Sequence, residues 1–83
     1  MKFQVDVKIM PNPKILDPQG KAVQNLLNQL NINGVETVRV GKNVSFTIEA
    51  ENYDSAGETV GQACQKLLCN PITEVWEFSL KEV

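Results

Sequence analysis

Hydrophobic and polar positions alternate with period two from Phe3 to Ile9, where Phe3, Val5, Val7 and Ile9 are separated by Gln4, Asp6 and Lys8. That spacing predicts a strand with one buried face. Pro11-Asn12-Pro13 stops it, because proline donates no ladder hydrogen bond. The period then lengthens. Ala22, Val23, Leu26, Leu27 and Leu30 recur at helical spacing and define one apolar face. Asp17 is placed to cap that helix, Pro18 fits its first position, and Asn31 to Gly34 ends it. Gly20 is unexpected in a first turn, since glycine weakens a helix by about 0.8–1 kcal/mol relative to alanine. Either a close approach by another backbone or ligand, or a tolerated defect, accounts for it.

The stretch ETVRVGKNVSFTIEA, residues 36–50, reads as a hairpin. A three-residue loop, Gly41-Lys42-Asn43, pairs Val40 with Val44 and Val38 with Phe46. A two-residue loop would mix apolar and polar residues on one face. Asn43 suits the left-handed backbone such a loop requires. Asp54 or Ser55 is expected to cap a second helix with an apolar face of Ala56, Val60, Ala63, Cys64 and Leu67, flanked by Leu68 and closed by Asn70-Pro71. A last strand follows, with Ile72, Trp76, Phe78 and Leu80 in one phase and Glu74 in the same phase near its start. The order β-α-β-β-α-β predicts a single α+β domain over residues 1–83, with a four-stranded antiparallel sheet and two helices on one face, the ferredoxin-like arrangement.

A chain of 83 residues buries only roughly 60% of its unfolded surface and is marginally stable alone. Cys64 and Cys69, five positions apart, would lie about 140° from each other around an α-helix, so no bridge between them is expected. Cys64 belongs to the core face; Cys69 is expected near the surface. Reduced thiols fit a cytoplasmic protein. Self-association is the remaining source of stability. The first ten residues carry charge and no long apolar run, which predicts neither a signal peptide nor a membrane span.

Net charge is −2 and Arg39 is the single arginine. No basic stripe suited to nucleic acid is visible. On an RNA-recognition sheet of this order, aromatic residues would face away from the helices. Here those positions are Gln4, Asp6, Ser45 and Thr47. The acidic residues Glu49, Glu51, Asp54 and Glu58 read as solvated surface. The chain has no histidine and no phosphate-loop pattern, so an enzyme acting alone is the weakest reading. A ligand-binding regulatory module of the same fold and a structural subunit joining larger enzymes both stay open.

Three motifs stand in order along the chain: LDPQGKAV (residues 16–23), VRVGK (residues 38–42) and KLLCNPITE (residues 66–74). Together they resemble the PurS family, the small subunit of phosphoribosylformylglycinamidine synthase. The resemblance implies a non-catalytic subunit of purine biosynthesis that carries no catalytic, metal or cofactor residue of its own, in a complex that uses ATP and Mg. It implies three partners: a second copy of the chain, a large ATP-dependent ligase subunit and a glutaminase subunit whose ammonia reaches formylglycinamide ribonucleotide. It carries over Gln19, Gly20, Lys21, Arg39, Gly41, Lys42 and Asn70 as candidate contact positions. Local fold geometry is the competing explanation, stronger for Gly41 and Asn70 than for Arg39 and Lys42.

Overall fold

Strand β1 (Lys2–Pro11) is the spine of the molecule, and the computed structural model describes residues 1–83 around it. Helix α1 (Pro18–Gln29) follows, then β2 (Lys42–Glu49), helix α2 (Tyr53–Ala63) with a π-helical turn at its end (Cys64–Leu68), and β3 (Glu74–Glu82). The sheet is antiparallel, ordered β2-β1-β3. Its register follows from the period-two pattern. Phe3 lies opposite Ile48, Val5 between Phe46 and Leu80, Val7 between Val44 and Phe78, and Ile9 beside Trp76. One face is therefore apolar, and the central strand's four apolar side chains are fully buried.

Helix α2 covers that face with Ala56, Val60 and Cys64. Asn52, rather than Asp54 or Ser55, caps it: Ser55 N–H donates to Asn52 Oδ1 at 2.8 Å, and Asp54 falls in the first turn. The last turn widens, with Cys69 N–H donating to Cys64 O, five residues back. That extra residue changes which side chains face inward. Cys69, expected near the surface, is buried, whereas Leu67, expected in the core, is 83% exposed. Ile72 likewise lies in the turn before β3 and is exposed.

The sheet has three strands rather than four. Residues 35–41 form no strand, and the expected hairpin is absent; β2 pairs with β1 instead. Thr37 adopts a left-handed φ of 52°, which interrupts the extended run. Asn43, expected in a left-handed loop, sits inside β2. The order β2-β1-β3 is the ferredoxin-like order with one edge strand missing.

Helix α1 departs from expectation in position. Its apolar face does not pack on the sheet: Val23, Leu26 and Leu30 are exposed, Leu26 by 57% and Leu30 by 69%. Gly20 is its one buried residue. The chain is accordingly elongated, 51 × 27 × 15 Å, with a radius of gyration of 16.3 Å. A compact domain of this length has about 12 Å. Ten of 83 residues are buried, a core confined to the sheet and α2.

Candidate functional site

The three motif segments, far apart in sequence, meet at the end of β1 that carries Pro11. Asp17 organises the junction. Its Oδ1 accepts from Gly20 N–H at 3.1 Å, as an N-cap does. Its Oδ2 accepts from Val40 N–H at 2.8 Å. The amide of Val40, expected to serve a hairpin, is thus drawn to the start of α1. The Val40 amide and then the Gly20 amide hold the Asp17 carboxyl below the usual carboxylate range, against its burial, and the nearby Arg39 guanidinium reinforces them. With both oxygens occupied and its pKa depressed, Asp17 stays ionised at neutral pH and is no proton donor.

Gly20 is explained by the same contact. A β-carbon there would overlap the backbone carbonyl of Val38. The close approach left open by the sequence is therefore that of another backbone segment. Gly41 is similar, since a β-carbon would meet Ile9 O and the Met10 sulfur.

Arg39 is not on a sheet face, and it forms no ion pair with Glu49 or Glu77. Its Nη2 donates to Asn12 O at 2.8 Å and to Ile15 O at 3.2 Å, stitching the loop between β1 and α1. Lys42 pairs with Glu74 at 3.9 Å across the sheet end, with the lysine side chain 55% exposed. Glu74 also accepts from Asn70 N–H at 2.8 Å. Asn70 Oδ1 accepts from Ile72 N–H at 3.0 Å, and Asn12 N–H donates to Thr73 O at 2.8 Å. Gln19 and Lys21 point to solvent from the first turn of α1.

The junction thus gathers all seven candidate positions and gives Gly20, Arg39, Gly41 and Asn70 a part in holding the fold. It also contains two residues that the sequence did not single out, Asn12 and Glu74. Asn12 meets Arg39 and Thr73 through its backbone, and its side chain accepts only from the nearby Lys14 N–H at 3.0 Å, a local turn that gives no sign of those distant contacts. Glu74 had a signal, its inward phase in a strand of apolar residues. Beside the junction, Met10, Pro11, Pro13, Thr37, Arg39 and Val75 line an open groove of about 270 Å³. Beyond it, Val23, Leu26, Leu30 and Ile32 leave an apolar surface without cover.

On the opposite sheet face, Gln4, Asp6, Ser45 and Thr47 lie together, with the Ser45 hydroxyl donating to Asp6 Oδ1. That face carries no aromatic platform for bases. No three His, Cys, Asp or Glu side chains gather where they would hold a metal. Burial pushes the thiols of Cys64 and Cys69 up, which disfavours thiolate. No helix is long and apolar enough to cross a membrane. The junction presents a fixed guanidinium and an open groove, with the apolar face of α1 beyond it.

The family model PurS, phosphoribosylformylglycinamidine (FGAM) synthase, matches residues 4–82. The PurS subunit of phosphoribosylformylglycinamidine synthase from Bacillus subtilis is 37% identical over 81 residues, 98% of this chain and 95% of that protein. The structure of Thermus thermophilus PurS superposes with a TM-score of 0.83 at 40% identity, covering all of this chain and 99% of that one. A chain in the structure of PurLQS from Thermotoga maritima gives a TM-score of 0.90 at 30% identity, covering 98% of this chain and 99% of that one. The similarity extends across all three motif segments and all the elements that position them, and the chain belongs to the PurS family.

Proposed function

We propose that this chain is the non-catalytic PurS subunit of a cytoplasmic FGAM synthase, joining a glutaminase to an ATP- and Mg-dependent ligase so that glutamine-derived ammonia reaches formylglycinamide ribonucleotide. The observation that carries the reading is the match along the whole length to a chain of the Thermotoga maritima PurLQS structure. The geometry supports it. The chain presents an open groove beside Arg39, and its core leaves the α1 face exposed. A second copy covering Val23, Leu26 and Leu30 would supply the burial that the isolated chain lacks. Gln19 and Lys21, exposed beside that face, and Lys42 and Arg39 at the junction are the contact positions in this reading.

The test is reconstitution with the ligase and glutaminase subunits of the same organism. Adding the chain should raise glutamine-dependent synthesis far more than ammonia-dependent synthesis. Equal stimulation of both would overturn the bridging role in favour of a regulatory module.

A further inference from the structure

Arg39 is half-buried and fixed, but its hydrogen bonding is incomplete. Only Nη2 is engaged, by the carbonyls of Asn12 and Ile15. Nε and Nη1 have no acceptor in the chain, and no carboxylate forms an ion pair with the guanidinium; the chain's two ion pairs are Lys8–Glu77 and Lys42–Glu74. Asp17 is close enough to feel the charge, yet both its oxygens are taken by amides. In a chain with ten acidic and eight basic residues, the one arginine therefore stands without a carboxylate. Its groove contains no acidic residue. The other walls are Met10, Pro11, Pro13, Thr37 and Val75, and Met10 lies directly across the ladder from Val75.

We propose that this groove seats an acidic side chain of a larger subunit, with an apolar neighbour of that residue lying on Met10 and Val75. The inference rests on the assembly reading given above. Charge complementarity selects the occupant: one guanidinium, already ordered by two carbonyls, lines a mostly apolar groove that holds no other charge. Because the side chain is held before binding, little rotamer entropy is lost on pairing. A free small anion is the poorer fit. One cation without converging amide groups makes a weak phosphate site, and the apolar walls would stay uncovered. A polypeptide bearing a carboxylate beside an apolar side chain uses both parts of the groove.

The experiment measures binding of the chain to the ligase–glutaminase pair by calorimetry at low and moderate salt. Val75→Asp sets a carboxylate beside the groove, where it competes for Arg39 and repels an acidic partner. Val75 is half-exposed on the edge strand, so the fold tolerates the change. Arg39→Gln removes the anchor and is scored alongside its thermal midpoint. Val75→Asp should weaken binding by about tenfold or more and flatten its salt dependence, with the light-scattering mass of the free chain unchanged. Binding of the Val75→Asp chain within about twofold of wild type overturns the groove as a docking site. So does a loss of self-association in that variant, which would assign the groove to the chain's own oligomer. So does displacement of the wild-type chain by millimolar phosphate at constant ionic strength. A wild-type chain that binds neither larger subunit overturns the assembly reading itself.

Discussion

Asp17 Oδ2 accepts from the amide of Val40 at 2.8 Å across 23 residues of chain, while Oδ1 caps α1 through Gly20. One carboxylate thus serves two backbone donors, and only a carboxylate has two acceptor oxygens with no donor between them. Asp17→Ala should lower the thermal midpoint by roughly 5 °C or more. Asp17→Asn and Asp17→Ser should restore only the cap, since neither can accept at both sites. Full rescue by asparagine in a melting experiment would show the Val40 contact to be idle.

The same pair predicts a pH dependence. The folded-state pKa of Asp17 is lowered, first by the Val40 amide and then by the Gly20 amide. Its contribution is therefore fully present above the unfolded value, near 3.8, and is lost as pH falls through the lower folded value. Wild-type stability should drop more steeply below that pH than the stability of Asp17→Asn. Parallel acid-unfolding curves for the two proteins would contradict this.

Arg39 and Lys42 separate cleanly. Arg39→Ala leaves Asn12 O and Ile15 O without their charged donor and should cost about 1–3 kcal/mol. Lys42→Ala breaks one half-exposed pair at 3.9 Å from Glu74 and should cost less than about 1 kcal/mol. Urea titrations would rank them. Charge reversal at Arg39 should therefore disturb the fold as well as any contact.

Glycines test backbone contact against helix propensity. Gly20→Ala meets the Val38 carbonyl, and overpacking of about 1–3 kcal/mol should outweigh the propensity gain. Gly57 and Gly61 of α2 have open space where a β-carbon would go. Alanine at either should stabilise by about 0.5–1 kcal/mol. The three thermal midpoints, measured together, check the sign at each site.

The exposed face of α1 predicts the oligomer. Leu26→Glu, at a position 57% exposed in the single chain, should reduce the light-scattering mass to that of one chain at micromolar concentration. An unchanged mass would move the self-contact to the sheet edges.

Local pattern alone determined β1, β3, the apolar phase of β2 and the start of α1 at Asp17-Pro18. Each depends on a period or a cap that acts within a few residues, and neighbouring structure did not override it. The segment from Val35 to Gly41 went differently. Its alternation suited a strand, but the left-handed Thr37, the Val40 amide drawn to Asp17 and the Arg39 guanidinium drawn to Asn12 and Ile15 diverted it. Those competitors are 23–27 residues away in sequence, beyond any local rule. The π turn was hidden for a related reason. Helical spacing assumes 3.6 residues per turn, and one widened turn exchanged Leu67 for Cys69 in the core. The amphipathic face of α1 was legible as a face, but periodicity says only that a helix has something to bury. Where it is buried depends on the position of the whole helix, and in this chain the start of α1 is pinned by Asp17 and Gly20 to a segment beyond the sheet.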